Sequence, residues 1–239
     1  MGVKFFELGQ AVSAAIIPGR KESKEKTGDA LYIDTERGIL AVADGSEKNP
    51  SASSRFLERF KEAVEENGFF YIRQSDAFEE VVVMTNSLVR DTPFHESTTF
   101  SAVLIGQNGN AALLHTGDSL VFTLRAETQA MEQKSRTNHL LIGRALHLFQ
   151  TEIIPLEPAD MVILATDGIV ELARCLRFSP QDLLSRCTTH RSPSEVISNI
   201  LKFIASVEMS LDDIGIIAAI PGTMKNLERE DLPRVILKD

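Results

Sequence analysis

The chain has 239 residues, of which 25 are Lys or Arg and 34 are Asp or Glu, giving a formal net charge of -9. This length favours one domain with a sizeable core. The acidic balance argues against nucleic acid as a partner, because binding to its phosphates needs clustered Lys and Arg. Without an apolar run long enough to cross a bilayer, the sequence also predicts no membrane association.

Cysteine content and the start of the chain bear on the compartment. Cys175 and Cys187 have neither the paired spacing of a zinc site nor the density of a disulfide scaffold. The first ten residues contain Glu7 and lack the basic and apolar regions of a signal peptide. We therefore expect a protein of the reducing cytoplasm.

Strand patterns dominate the first part of the chain. Residues 12–17 are apolar and end in Pro18-Gly19, which predicts an opening strand closed by a turn. Two further apolar segments flank the polar residues 34–38, which predicts a β-hairpin. Because antiparallel strands pair outward from their loop, this hairpin should place Asp29 beside Asp44.

The rest of the chain alternates helices and strands. The predicted elements are helices between Ser51 and Asn67 and over 76–90, a three-stranded meander over 98–105, 110–116 and 120–124, strands over 152–155 and 161–166, helices after Ser179 and Ser192, and a strand over 214–220. This order predicts an α+β fold with antiparallel sheets covered by helix pairs. We expect one domain over residues 1–222 and a surface tail over 223–239.

Aspartates stand at five predicted strand edges. Two apolar strands end in Asp-Gly pairs, at Asp44 and Asp167, and the other three edges carry Asp29, Asp118 and the pair 212–213. Any one of these aspartates is explained equally well as a turn former. Carboxylates gathered from five edges at one rim repel one another unless a cation neutralises them, so together they favour a metal site.

The ligand chemistry of this rim indicates which metal and which reaction. Oxygen-only clusters select hard cations such as Mg²⁺ or Mn²⁺, whereas zinc prefers His and Cys, which are scarce near these aspartates. Two such ions about 4 Å apart can bind phosphoryl oxygens and activate a water molecule. The pattern therefore predicts phosphate-ester hydrolysis without a covalent intermediate, with its chemistry centred on Asp44.

Six short motifs follow one another along almost the whole chain: Thr27-Gly-Asp-Ala30, Leu40-Ala-Val-Ala-Asp-Gly45, Ser97-Thr-Thr-Phe-Ser-Ala-Val103, His115-Thr-Gly-Asp-Ser119, Ile163-Leu-Ala-Thr-Asp-Gly-Ile-Val-Glu171 and Asp212-Asp-Ile-Gly-Ile-Ile217. In this order and spacing they resemble the metal-dependent Ser/Thr protein phosphatases of the PPM, or type 2C, family. The compact bacterial branch, typified by stage II sporulation E and sigma-regulator phosphatases, is the most similar. The resemblance implies an α-β-β-α sandwich with a two-metal site at one end of its sheets.

The resemblance also implies roles for the aspartates. Asp44 would bridge both metals and, together with Asp167, form the catalytic centre. The carbonyl of Gly45 and the carboxylate of Asp29 would serve the second metal, Asp29 either directly or through a water molecule. Asp167 and Asp212 would hold the first.

Four further positions have implied roles with open alternatives. Asp213 would either orient the ligands or itself act as one. Asp118 would hold a third, weaker metal, and is equally well explained as a turn aspartate. Lys24 stands where the family commonly has an arginine for the substrate phosphate, with Arg20 as the other cation nearby, and a solvated loop lysine is the plainer explanation.

The chain departs from the family near the site. The family's Gly-His-Gly-Gly is replaced by residues 46–49, Ser-Glu-Lys-Asn, so the histidine often assigned as general acid is missing. His115 is interpreted as structural or exposed. Leu120 replaces an arginine and Gly215 a threonine. None of these changes removes a metal ligand.

We therefore expect a Mn²⁺- or Mg²⁺-dependent phosphatase, with two bound ions, acting on phosphoserine or phosphothreonine in a protein. One alternative is a catalytically degenerate phosphatase-fold module that binds a phosphoprotein or a regulatory partner. Another is a phosphoesterase that acts on nucleotides or small phosphates at the same rim.

Overall fold

The structure is a computed structural model that describes residues 2–19, 27–46, 48–66, 77–106, 109–143, 149–188, 192–208, 211–225, 227 and 234–238. Within these ranges the strands are Lys4–Leu8 (β1), Val12–Ile17 (β2), Asp29–Asp34 (β3), Ile39–Asp44 (β4), Phe100–Ile105 (β5), Asn110–Thr116 (β6), Leu120–Leu124 (β7), Met131–Gln133 (β8), Gln150–Pro155 (β9), Met161–Ala165 (β10), Ile214–Ala219 (β11) and Arg234–Leu237 (β12).

The helices in the same ranges are Ala52–Glu66 (α1), Ala77–Asp91 (α2), Gly168–Cys175 (α3), Pro180–Cys187 (α4), Pro193–Ala205 (α5) and Pro221–Lys225 (α6), with a 3-10 turn at Phe94–Glu96. None of the helices in the described part of the chain is both long and apolar enough to span a bilayer.

The strands form two antiparallel sheets of six. Sheet 1 has the order β1-β2-β11-β10-β7-β8, and sheet 2 has the order β12-β3-β4-β5-β6-β9. The central strands β2, β3, β5, β10 and β11 are buried along their whole length. Each central strand is therefore covered on both faces.

Three apolar clusters show what covers the sheets. The middle cluster lies between the sheets and includes Leu31 from β3 and Ile217 from β11. A second cluster joins sheet 1 to α3, α4 and α5, and a third joins sheet 2 to α1. In the third cluster the ring of Phe100 lies 5.1 Å from those of both Phe56 and Phe60. The layers confirm the α-β-β-α sandwich and the α+β fold class.

The predicted meander over residues 98–124 is wrong at its last strand. β5 pairs with β6 in sheet 2, but β7 pairs with β10 and β8 in sheet 1. Gly117 turns the chain between the sheets with φ +103°, and its N–H donates to Asn138 Oδ1 at 2.9 Å. A short glycine turn suits a hairpin and a crossing equally well, so the local sequence does not distinguish the two.

Part of the expected C-terminal tail is a strand. Arg234–Leu237 (β12) pairs with β3 at the edge of sheet 2, where Arg234 stands opposite Asp34. The buried carboxylate of Asp34 accepts hydrogen bonds from the Arg37 guanidinium at 2.8 Å and the Tyr32 hydroxyl at 3.0 Å, and the Arg234 Nε lies 3.8 Å away. Residues 234–237 are therefore an edge strand of sheet 2, and the division into a domain over 1–222 and a tail over 223–239 stays a prediction.

Candidate metal centre

Asp29 and Asp44 form the sheet 2 side of the candidate site. They are cross-strand Cα partners at the open end of the β3–β4 hairpin, which confirms the pairing predicted from its loop. Just beyond them, the N–H of Gly45 donates to the carbonyl of Gly28 at 2.8 Å. The hairpin therefore delivers two carboxylates to one edge of the sheet.

Sheet 1 supplies the next aspartates from the adjacent strands β10 and β11. Asp167 follows β10 and precedes α3, while Asp212 and Asp213 precede β11. Because these strands are antiparallel, the end of one lies beside the start of the other. A Cβ on Gly168 would lie 2.0 Å from the carbonyl oxygen of Asp213, so only glycine lets α3 begin here.

Asp118 lies in the turn between β6 and β7 and is partly exposed. Two neighbouring hydroxyls connect this turn to the end of β4. The Thr99 hydroxyl accepts the N–H of Asp44 at 3.0 Å and lies 2.9 Å from the Ser119 hydroxyl. Asp118 is thereby held close to the hairpin aspartates.

The aspartates of the two sheets interact electrostatically. Burial raises the pKa of Asp44 well above its ordinary value, and the carboxylates of Asp29, Asp167, Asp118 and Asp212 raise it further. Like charges have this effect only at short range, because screening weakens them over longer distances. The structure therefore brings together aspartates that lie far apart in the sequence.

Asp29 is affected in the same way. Burial raises the pKa of Asp29 from 3.8 to about 7; a hydrogen bond from Thr166 opposes the shift, and Asp213, Asp167 and Asp212 add to it. Its side chain is almost fully buried. A carboxylate in this position is desolvated and repelled, and a nearby cation would relieve both effects.

Asp212 and Asp213 differ in what they bind. Both oxygens of the buried Asp213 carboxylate accept backbone N–H groups, from Gly19 at 2.7 Å and from Gly28 at 3.0 Å. Asp212 is partly exposed, and its N–H donates to Glu171 Oε2 at 2.8 Å. The geometry of Asp213 fits an orienting role, since its oxygens hold the backbone.

The space beside Gly28 indicates whether the oxygens of Gly45 and Asp44 are accessible to a cation. A Cβ on Gly28 would lie 2.8 Å from the Gly45 carbonyl oxygen and 3.2 Å from Asp44 Oδ1, so both oxygens border a gap that the glycine leaves open. Together with the surrounding carboxylates this is an oxygen-only donor set, which suits Mg²⁺ or Mn²⁺. Among the described residues, no group of three or more Asp, Glu, His or Cys side chains is already arranged to hold a metal ion.

The sequence did not predict that three residues near the site hold the aspartates in place. Thr99 accepts the backbone N–H of Asp44, Thr166 donates to Asp29 Oδ2 at 2.8 Å, and Glu171 accepts the backbone N–H of Asp212. All three stand inside the six motifs. For Glu171 the spacing was informative, because it lies one helical turn after Asp167. The hydroxyl contacts depend on tertiary packing and have no local pattern.

Three further residues singled out in the sequence are Arg20, Lys24 and His115. Arg20 and Lys24, the candidates for binding the substrate phosphate, fall outside the described residues. His115 is buried, with Nδ1 2.8 Å from the Ser101 hydroxyl and Nε2 3.2 Å from the Arg136 carbonyl. Burial lowers the pKa of His115 to about 4, so it is a neutral structural residue.

The sandwich and its cluster of aspartates define a PPM-type phosphatase fold. The family model described as stage II sporulation protein E matches residues 34–220, well over half of the chain. The chain therefore belongs to this family, in the bacterial branch of the PPM phosphatases. No curated protein matches the chain in sequence.

Solved structures support the same fold. RsbX in complex with magnesium is 16% identical with a TM-score of 0.64, covering 91% of this chain and 98% of that chain. The catalytic domain of the phosphatase PstP with two manganese ions is 14% identical with a TM-score of 0.65, covering 87% and 98%. The S. agalactiae serine/threonine phosphatase is 16% identical with a TM-score of 0.67, covering 87% and 97%.

Proposed function

We propose that this chain is a cytoplasmic, Mn²⁺- or Mg²⁺-dependent phosphatase that hydrolyses phosphoserine and phosphothreonine in a phosphoprotein. The observation that carries the proposal is the gathering of aspartates from both sheets around Asp44, whose pKa is raised first by burial and then by these carboxylates. Membership of the stage II sporulation protein E family supports it. Similar folds have been solved with magnesium in RsbX and with two manganese ions in PstP.

Five residues are proposed as ligands of two cations. Asp44 would be shared by both, the carbonyl of Gly45 and the carboxylate of Asp29 would serve one, and Asp167 and Asp212 would serve the other. When bound, the cations would supply Lewis acidity that polarises the phosphoryl group and activates water. Asp118 remains the candidate for a weaker third ion, supported by its electrostatic effect on Asp44.

The chain's own groups prepare this site. Thr99 and Thr166 hold Asp44 and Asp29, and Glu171 holds the backbone of Asp212. Asp213 would orient rather than bind, because its oxygens accept two backbone N–H groups. Because these contacts already position the proposed ligands, the side chains need less rearrangement when a cation binds.

Asp213 also holds the backbone at two glycines that precede and follow the proposed substrate-phosphate cations in the sequence. The N–H groups that it accepts belong to Gly19 and Gly28, on either side of Arg20 and Lys24. We keep both cations as proposed substrate contacts. Because the histidine that serves as general acid in the family is missing, we propose that a water molecule donates the proton that the leaving group takes up.

Phosphopeptide hydrolysis in the presence of Mn²⁺ tests the proposal. The wild type, Asp44→Asn and the control Asp91→Asn are compared; Asp91 is an exposed aspartate at the end of α2. We expect turnover by the wild type and the control, and a loss of roughly 100-fold or more in Asp44→Asn. Equal turnover in all three samples would contradict the proposal.

Two other results would favour the alternative functions. Phosphopeptide binding without turnover, surviving in Asp44→Asn, would favour the degenerate binding module. Faster turnover of nucleotides than of phosphopeptides would favour a phosphoesterase for small phosphates.

A further inference from the structure

Thr166 links the two sheets at the candidate metal centre. It is fully buried and stands between β10 and Asp167. Its hydroxyl lies 2.8 Å from Asp29 Oδ2 and 2.8 Å from the backbone nitrogen of Gly215. A proposed ligand of sheet 2 is thus held by the neighbour of a proposed ligand of sheet 1.

The direction of these two hydrogen bonds is fixed by their chemistry. The Gly215 N–H can only donate, so the Thr166 oxygen accepts it, and the single hydroxyl proton is left for an acceptor. Asp29 Oδ2 at 2.8 Å is the closer acceptor, since the Gly215 carbonyl lies 3.4 Å away. The Thr166 hydroxyl therefore accepts a hydrogen bond from the Gly215 N–H and donates one to the Asp29 carboxylate.

Gly215 makes the close approach possible. A Cβ at this position would lie 3.0 Å from Leu31 Cδ2, 3.2 Å from Asp29 Oδ2 and 3.2 Å from Thr166 Cγ2. Each distance is shorter than ordinary van der Waals contact, so a larger residue would push these groups apart. The glycine that departs from the family pattern and the Thr166 hydrogen bond are thus two parts of one arrangement.

We propose that Thr166 is the positioning residue that orients Asp29 for metal binding, with Gly215 providing both the hydrogen bond and the space. The hydroxyl engages Oδ2, so Oδ1 is the oxygen that we assign to the cation. Because it concerns a ligand of the same site, this inference rests on the proposed function. Partners that orient metal ligands in this way typically change metal affinity by about 10–100-fold when they are removed.

Thr166→Val tests the inference because it removes the hydroxyl and nearly keeps the shape. Thr166→Ser keeps the hydroxyl and serves as the rescue variant. Thr123→Val is the matched control, since Thr123 is also fully buried in sheet 1, on β7 opposite Val162, and its hydroxyl makes no hydrogen bond within the described part of the chain.

The readouts are the Mn²⁺ dissociation constant by calorimetry, the urea midpoint in EDTA and phosphopeptide turnover. We expect Thr166→Val to raise the dissociation constant about 10–100-fold, and Thr166→Ser and Thr123→Val to bind like the wild type. If Thr166→Val does not fold, Gly215→Ala takes its place, because its Cβ would displace Asp29 Oδ2. We expect the same direction of change in that variant.

The outcomes separate this inference from the proposed function. Equal Mn²⁺ affinity in Thr166→Val and Thr123→Val, or in Gly215→Ala and the wild type, would overturn the inference alone. Equal losses in Thr166→Val and Thr166→Ser would also overturn it. Weaker Mn²⁺ binding in Thr166→Val without turnover by the wild type would support it and overturn the phosphatase activity. A wild type that does not bind Mn²⁺ would overturn both.

Discussion

Asp29 and Asp44 are directly opposite each other on β3 and β4, and burial raises the pKa of both carboxyl groups. The hairpin register pairs the two residues. Because it places two desolvated acids side by side, it also carries an electrostatic cost. A bound cation would offset that cost.

Asp29→Asn should therefore stabilise the metal-free protein. The substitution removes a desolvated charge from among like charges and keeps an oxygen that can accept from Thr166. We expect the free energy of unfolding in EDTA to rise by about 1–3 kcal/mol, and the stabilisation by added Mn²⁺ to be lost. Urea unfolding measures both, with Asp91→Asn as the exposed control. Lower stability of Asp29→Asn in EDTA would contradict this account.

Gly28→Ala should close the gap beside Asp44. The added Cβ would lie 2.8 Å from the Gly45 carbonyl oxygen and 3.2 Å from Asp44 Oδ1. We expect Mn²⁺ affinity, measured by calorimetry, to fall about tenfold or more. Gly2→Ala is the matched control, because a Cβ there would meet no atom within 4 Å. Unchanged affinity in Gly28→Ala would mean that these oxygens do not bind the cation.

Asp212→Asn and Asp213→Asn should impair different properties, metal binding in the first and stability in the second. Asp212→Asn is expected to weaken Mn²⁺ binding and to preserve stability. Asp213→Asn puts an amide where two backbone N–H groups need acceptors, so we expect unfolding free energy to fall by about 1–3 kcal/mol. Calorimetry and urea unfolding on the same samples separate the two effects. The reverse pattern would make Asp213 the direct ligand.

Acidification should destabilise the protein in part through His115. Burial lowers the pKa of His115 from 6.5 to about 4, so the unfolded chain binds a proton between these values that the folded chain does not. Stability is therefore lost as the pH falls from 6.5 to 4, by up to about 3 kcal/mol. His115→Gln should show a shallower pH dependence of unfolding free energy. Parallel curves for the two proteins would contradict this explanation.

The pairing at the site was predictable where the register can be counted along the chain. Asp29 and Asp44 follow from the loop between β3 and β4, and Asp167 follows from an apolar run ending in Asp-Gly. Strand periodicity and Asp-Gly pairs are local features, so they can be recognised in the sequence without knowledge of how the sheets pack.

Contacts between sheets were not predictable. The hydrogen bond from Thr166 to Asp29 joins residues 137 positions apart and depends on how the sheets pack. The crossing at Gly117 looks like a hairpin turn in the sequence. β1 and β12 are short edge strands whose patterns are weak, and each is recognised only once its partner strand is in place.

The most direct test is a calorimetric titration of Mn²⁺ into the wild type and Asp44→Asn, with phosphopeptide turnover followed in the same samples. We predict about two bound ions and turnover in the wild type, and the loss of both in Asp44→Asn. A wild type that binds no Mn²⁺ would contradict the central claim that the aspartates of the two sheets form a metal centre.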